Sequence, residues 1–223
     1  WGIDVIDFLK LFPADLLRYT LAANLPETRD TDFFWKEFQM RTNGELADIF
    51  GNFVNRTLTF VNRNFNNEVP AITKLEDIDK EMIELLENAP QKIASYFDNF
   101  KIKDGVNEIM NIARACNKYF NDSEPWKTIK NDQEKCTTTL NICVQAIFTL
   151  AELFSPVIPF TSEKIFSMLN AKPVEWENAG KMNLQIGHKL GKAEILFTKI
   201  EDKVIEEQIN KLGVVEENKE EEQ

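Results

Sequence analysis

The stretch Asn43–Arg63, NGELADIFGNFVNRTLTFVNR, predicts a helix with two unlike faces. Apolar residues recur at helical spacing along one face and are expected to point towards a core: Leu46, Ile49, Phe50, Phe53 and Phe60. Polar residues recur at the same spacing along the other face: Asn52, Arg56, Thr59 and Arg63. The stretch therefore predicts a core helix that presents a polar stripe.

Asn52 and Arg56 are four residues apart on this stripe, so their side chains are neighbours on the helix. Asn carries a planar amide and Arg a planar fork of donors, and together they suit the edge of a nucleobase. A solvated helix face is the more common reason for such a stripe. Spacing alone leaves both explanations open.

The composition favours a helical protein of ordinary globular type. The chain has 223 residues, enough for one large domain or two small ones with a real core. It contains only 8 Gly and 8 Pro, too few for a turn-rich β fold. Apolar periodicity predicts six or seven consecutive helices joined mostly by short loops. The predicted fold is an all-α bundle with neighbouring helices roughly antiparallel.

Three local signals set expectations for particular boundaries. Residues 73–76, TKLE, have the form of a capping box that starts a helix. Pro90 is expected to kink or break that helix near Asn88. Residues 121–127 combine cap-type residues, a proline and a tryptophan, and predict a loop.

Charge and cysteine usage exclude several classes of protein. The net charge of -11 argues against a protein that coats DNA, which needs a basic field. No apolar run approaches the roughly 20 residues needed to span a bilayer, so no membrane partner is expected. Cys116, Cys136 and Cys143 form no CxxC pair. Their odd number predicts reduced thiols in a cytoplasmic protein.

The chemistry in the sequence indicates recognition rather than catalysis. The single histidine, His188, has no carboxylate or cysteine at ligand spacing, so no metal site is predicted. Phosphate-loop and nucleophile-elbow motifs are absent from the sequence, and no catalytic residue is assigned. Trp126, beside Lys127, is either a stacking platform for an unpaired base or a plug between helices.

Four segments, taken in order, resemble the methionyl-tRNA synthetase family. Residues 13–19, PADLLRY, resemble the D-A-L-R-Y element that follows the catalytic core of class I aminoacyl-tRNA synthetases. Residues 43–56 carry N-x-E-L followed by G-N-x-x-x-R, which resembles the signature helix of the family's anticodon-binding domain. Residues 113–126, with A-x-x-x-N-x-Y and then P-W, and residues 196–201, LFTKIE, resemble its later hallmarks. The resemblance covers residues 1 to about 212.

The resemblance implies a role for each matching position. Asn52 and Arg56 would hydrogen-bond base edges, chiefly that of the first base of a CAU anticodon, a cytosine. Trp126 would stack on an unstacked anticodon base, and Pro125 would hold its loop. Arg63 is a candidate phosphate contact. These roles agree with the general way in which proteins read single-stranded RNA.

The resemblance also implies a division of the chain into parts. Residues 1–26 would follow the catalytic core, residues 27–212 would form a helix bundle of the class I synthetase anticodon-binding type, and residues 213–223 would be an acidic, disordered tail. The HIGH-type and KMSKS-type motifs of the catalytic core are absent from the sequence. The chain is therefore expected to be an excised C-terminal part that is inactive alone.

Cofactors and partners follow from the same resemblance. ATP, Mg²⁺ and any zinc would belong to the catalytic domain of the full enzyme, with no cofactor bound by this part. The implied partners are methionine tRNA, through its anticodon loop, and the catalytic domain of the same chain. Neither DNA nor a membrane is expected as a partner.

Two alternatives remain open from the sequence. The helical domain of another class I synthetase, such as that for leucine, isoleucine, valine or cysteine, shares the motif at residues 13–19. It does not share the combination of residues 51–56 with Pro125-Trp126. A helical protein-interaction scaffold without an RNA role would suit the net charge of -11.

Overall fold

The computed structural model describes residues 3–26 and 32–220, with side chains up to Lys211. This part of the chain is built from helices, as predicted, although it contains ten α-helices where the sequence predicts six or seven helices. Its one β-pairing is an isolated bridge between Glu68 and Lys189. In order, the elements are α1 (Val5–Leu11), α2 (Ala14–Ala23), α3 (Trp35–Met40), a π-helical segment (Arg41–Gly51), α4 (Asn52–Asn64), α5 (Asp77–Asp98), α6 (Ile102–Asp122), α7 (Pro125–Asn131), α8 (Gln133–Phe154), α9 (Pro159–Leu169), a 3₁₀ turn (Trp176–Asn178) and α10 (Asp202–Glu220).

Helices α3 and α4 and the π-helical segment between them form one continuous rod. The backbone stays right-handed helical at both junctions, at Arg41 and at Gly51. The prediction of a helix over residues 43–63 is therefore confirmed, although its first half is π-helical. On its apolar face, Leu46, Phe50 and Phe53 are fully buried, whereas the other two predicted core residues are partly buried against the core.

Helix α8 is the centre of the bundle. It packs against α4, α5, α6, α7 and α9. By length and composition it is apolar enough to cross a membrane, which corrects the expectation that no apolar run is that long. However, 94% of its most apolar window is buried inside the molecule. A helix that is apolar around most of its girth is here a central core helix.

Helix α5 begins one turn later than the sequence predicts. Its capping box is formed by Glu76 and Asp79, with the Glu76 backbone N–H donating to Asp79 Oδ2 at 2.8 Å. The predicted box at residues 73–76 does not form, because Thr73 points elsewhere. Its hydroxyl donates to the carbonyl of Glu134 on α8 at 3.0 Å.

Pro90 does not break α5, which continues through it to Asp98. A proline has no N–H, so it leaves the carbonyl four residues earlier, that of Leu86, without its helical donor. Gly180 packs so close to this carbonyl that a Cβ at Gly180 would clash with it. The indole Nε1 of Trp176 donates to the carbonyl of Pro90 at 2.9 Å. The chain after α9 therefore covers the irregular turn.

The motif at residues 13–19 fastens the N-terminal segment to the bundle. Asp15 Oδ2 accepts hydrogen bonds from the backbone N–H and the hydroxyl of Thr161, each at 2.6 Å, and so caps the first turn of α9. Arg18 Nε donates to the carbonyl of Val157 at 2.8 Å, at the corner between α8 and α9. These residues of the motif therefore have a structural role.

The last helix extends into the acidic segment at the end of the chain. Helix α10 continues to Glu220, so the backbone is helical over most of the acidic segment for which the sequence predicts disorder. Residues 221–223 lie outside the described part. Glu and Lys, which dominate this segment, are good helix formers.

Candidate nucleic-acid interface

Arg56 of α4 meets the end of α6 and the start of α7. Its guanidinium carbon lies 4.6 Å from the centroid of the Phe120 ring and 5.7 Å from that of Trp126. Its NH1 donates to Asn121 Oδ1 at 2.8 Å. The structure therefore brings Arg56 and Trp126, which are 70 residues apart in sequence, into one cluster.

Pro125 and Trp126 are not in a loop, which corrects the sequence prediction. They are the first two residues of α7, and Pro125 is buried. Proline is favoured at the first position of a helix, because the N–H that it lacks would have no helical partner there. The chain turns sharply just before, at Glu124, whose φ of 44° is left-handed.

Trp126 packs between helices and still presents part of its ring to solvent. Its ring packs against Phe120, with centroids 6.1 Å apart and planes inclined at 43°, so it closes the joint between α6 and α7. It nevertheless remains 39% exposed. An exposed aromatic ring that is fixed from behind is suited to stacking on an unpaired base.

Asn52 lies one helical turn before Arg56 and is exposed. Together with Asn55 it lines a crevice of about 300 Å³ between α4 and the segment 195–199. Gly51 allows this close approach, because a Cβ there would lie 3.0 Å from the Phe197 ring. The crevice therefore adjoins the Arg56 cluster along the polar face of α4.

Arg63 lies two helical turns beyond Arg56, near the end of α4, and is exposed. Among the described residues it takes part in no ion pair, whereas two lysines that lie close in sequence to Phe120 and Trp126 do. Lys118 pairs with Asp122, and Lys127 pairs with Glu124 at 2.6 Å. Arg63 therefore remains available as the predicted phosphate contact.

Phe120 and Asn121 are site residues that sequence reasoning missed. The sequence predicts a loop that begins at Asn121, and it singles out neither Asn121 nor the preceding Phe120 as a site residue. Their contacts with Arg56 depend on the way α4 and α6 cross, which no local pattern encodes. The only signal was their position just before Pro125-Trp126.

Several residues of the motifs support the rod rather than the site. Glu45 accepts hydrogen bonds from the Tyr19 hydroxyl at 2.8 Å, from Arg114 at 2.7 Å and from Arg41 at 3.2 Å. The amide of Asn43 pairs with both backbone groups of Ile200, at 2.8 and 2.9 Å. Contacts within the protein therefore account for the N-x-E-L part of the motif.

The histidine and the cysteines are structural in the described residues. His188 is half-buried, with Nε2 2.8 Å from the carbonyl of Leu169. No group of three metal-ligating side chains occurs in this part of the chain. The three cysteines are unpaired and buried. Burial raises the pKa of the Cys116 thiol to about 12 and that of Cys143 well above its ordinary value, so both are poor nucleophiles.

Two protein-family models match the chain. The model for the anticodon binding domain of methionyl tRNA ligase matches residues 69–217, and a model for class I tRNA synthetases (M) matches residues 1–58. The chain is 45% identical over 215 residues to methionine–tRNA ligase of Phocaeicola vulgatus, which is 95% of the chain and 32% of that protein. It is 43% identical over 213 residues to methionine–tRNA ligase of Methanobrevibacter smithii, again with 95% and 32% coverage.

The solved structures that match have the same fold. Apo methionyl-tRNA synthetase of Mycobacterium tuberculosis superposes with a TM-score of 0.84 at 24% identity, over 89% of this chain and 41% of that chain. The same enzyme bound to methionyl-adenylate gives a TM-score of 0.83 at 25% identity, over 88% and 40%. The chain spans about a third of the length of the curated relatives it matches.

Proposed function

The chain belongs to the methionine–tRNA ligase family and contains the anticodon-binding domain of that family, and from this premise we propose that it reads the CAU anticodon of methionine tRNA. In the complete enzyme, this recognition selects the tRNA to which the catalytic domain attaches methionine. Family membership removes the alternative of a leucine, isoleucine, valine or cysteine synthetase.

The contact between Arg56 and Trp126 is the observation that carries this proposal. One edge of the guanidinium is occupied by Asn121, and its Nε and second amino group make no hydrogen bond to a described residue. The Watson–Crick edge of cytosine presents two neighbouring acceptors, which suit a planar pair of donors. Trp126 offers a stacking face beside them, and Asn52 offers an amide one turn away.

The reaction itself belongs to the rest of the enzyme. We propose that methionine is activated with ATP and Mg²⁺ in the catalytic domain, and that the 223-residue chain alone does not ligate. The cytoplasm is the proposed location, and the catalytic domain and methionine tRNA are the proposed partners. The contribution of this chain is the recognition of the anticodon through Asn52, Arg56 and Trp126.

The test is binding of a fluorescent anticodon stem-loop RNA to the 223-residue chain at low salt. The parent is expected to bind the CAU loop more tightly than loops with one anticodon base changed. Trp126→Ala should weaken CAU binding by about 5- to 150-fold, since one base–aromatic stack contributes about 1–3 kcal/mol. Phe100→Ala is the matched control, because Phe100 is 85% exposed but lies in the turn before α6, at the opposite end of that helix from Trp126.

Equal affinity of the parent and Trp126→Ala would contradict the base-reading role. The remaining alternative is a helical interaction scaffold with no RNA role. It would be favoured if the parent did not bind the CAU loop even at low salt, where electrostatic contacts are strongest.

A further inference from the structure

Arg56 is held from three directions before any RNA arrives. The Phe120 ring lies beneath it at 4.6 Å, the Trp126 ring beside it at 5.7 Å, and the side-chain oxygen Oδ1 of Asn121 accepts from NH1 at 2.8 Å. A free arginine side chain has many rotamers, and fixing it on binding opposes association. Contacts that fix it beforehand therefore favour RNA binding.

Phe120 is the rigid member of this group. It is only 2% exposed, so it has almost no surface with which to touch a nucleotide. It also packs against Trp126, with ring centroids 6.1 Å apart. One buried ring therefore supports both of the side chains that the proposed function assigns to base reading.

We propose that Phe120 is a positioning residue for anticodon recognition. It acts on Arg56 through the negative face of its ring. The guanidinium is attracted to this face, which holds it in the orientation that presents its free edge to the base. The proposal rests on the proposed function, because it assumes that Arg56 and Trp126 contact the anticodon. It assigns to Phe120 an electronic role in addition to packing.

The test changes the electrons of the ring and keeps its shape. Phe120 is replaced by mono-, di- and trifluorinated phenylalanine through site-specific incorporation, and affinity for the CAU stem-loop is measured. Each fluorine withdraws charge from the face, so affinity should fall stepwise, to about two- to fivefold weaker for the trifluoro form. This is the range expected for a partly exposed cation–π contact. The melting temperature of each variant shows that the fold is kept.

Two controls separate positioning from packing. The same fluorinated residues at Phe148, a buried ring of α8 that packs on Phe166, should leave affinity unchanged. In an Arg56→Gln background, fluorination of Phe120 should have no further effect, because the cation is gone. A merely structural role would give the same change with and without the cation.

Affinity that does not depend on fluorination, or a loss that persists in Arg56→Gln, would overturn the positioning role while leaving the proposed function intact. A parent chain that shows no preference for CAU would instead overturn the proposed function, and the positioning proposal would fall with it. Selective binding with a stepwise, Arg56-dependent loss supports both.

Discussion

Arg56 and Arg63 lie on one face of α4 but have different surroundings. Arg56 is enclosed by two aromatic rings and an amide oxygen, whereas Arg63 is exposed and has no ion-pair partner among the described residues. The first environment fixes a planar group in one orientation, which suits reading a base. The second leaves the charge exposed to solvent, which suits a phosphate.

Arg63→Ala is expected to weaken binding of all stem-loops by a similar factor, whatever their anticodon. It should also reduce the slope of log affinity against log salt by about 0.7, because one fewer counterion is released from a single-stranded contact. The measurement is a salt titration with CAU and non-CAU loops. Lys103→Ala, an exposed cation near the start of α6, is the control that should change neither quantity.

A loss confined to the CAU loop would place Arg63 at a base instead. An unchanged slope would remove it from the RNA contact and leave it an ordinary surface residue, which is the other interpretation of the polar stripe.

Between elements, the start of α5 is joined to the end of α6 by one buried hydrogen bond. The Tyr119 hydroxyl donates to Asp79 Oδ1 at 2.6 Å, while the other oxygen of Asp79 caps α5. Burial and the neighbouring carboxylate raise the pKa of Tyr119, so its hydroxyl stays protonated and remains a donor. Tyr119 belongs to the family motif at residues 113–126, and its contact with Asp79 is a structural reason for a tyrosine at this position.

Tyr119→Phe is expected to lower the free energy of unfolding by about 1–3 kcal/mol, because it leaves one oxygen of a buried carboxylate without its donor. Urea denaturation measures this change. Tyr96→Phe removes the same hydroxyl from a half-buried position with no side-chain hydrogen bond in the described structure, and should cost less than about 0.5 kcal/mol. Similar losses for both variants would show that the Asp79 contact does not matter.

Elements with a strong apolar period could be predicted from the sequence, and those fixed by distant partners could not. The rod and α8 follow their periodicity. The prediction of a capping box at residues 73–76 is wrong because the Thr73 hydroxyl donates to the carbonyl of Glu134 on α8, 61 residues away in sequence. The predicted break at Pro90 does not occur, and Trp176 and Gly180 cover the turn of α5 that contains this proline. At residues 125–126 the sequence predicts a loop because turn-forming residues precede Pro125. The preference of proline for the first position of a helix is a local signal that indicates the observed helix instead.

The candidate site shows the same division. The resemblance to a known family singles out Asn52, Arg56 and Trp126, which sequence spacing alone would not. The structure brings Arg56 and Trp126 into contact. Phe120 and Asn121 were not found, because their relation to Arg56 is set by the crossing of two helices. Periodicity identifies which face of a helix is buried but not which residue of another helix lies opposite.

For the molecule as a whole, charge sets how an RNA could be selected. The net charge is -11, and Lys118 and Lys127 beside the site are paired with acidic neighbours. Such a surface does not attract phosphate over a long range. Selectivity is therefore expected to come from short-range contacts at the anticodon, with a shallow salt dependence.

The stability of the whole bundle should depend on a carboxyl group in its central helix. Glu152 of α8 is only 4% exposed, and its Oε1 accepts from the backbone N–H of Val174 at 2.6 Å. Burial raises the pKa of Glu152, and the Val174 N–H offsets this only in part. The native state therefore holds the proton more tightly than the unfolded chain, and the stability so gained at low pH is lost as pH rises through the native pKa.

Glu152→Gln keeps an oxygen for Val174 and removes the buried charge, so it is expected to be more stable than the parent near neutral pH. The difference should vanish below about pH 4, where the parent carboxyl is protonated in both states. Urea unfolding across this pH range measures it. The exposed Glu163→Gln on α9 is the control and should show no such trend. Destabilisation by Glu152→Gln at every pH would mean that the carboxylate is stabilised by its surroundings.

The π-helical segment before α4 determines the direction in which the polar face of α4 points around the helix axis. In an α-helix each residue turns the chain by about 100° around the axis, and a π-helix accommodates more residues in each turn. Inserting one further residue within Arg41–Gly51 while the segment stays helical would therefore rotate the face that carries Asn52 and Arg56 by an amount on the order of 100°. Arg56 would then point away from Phe120 and Trp126, although no residue of the site had changed. The number of residues in this segment, as much as their identity, determines which way the site faces.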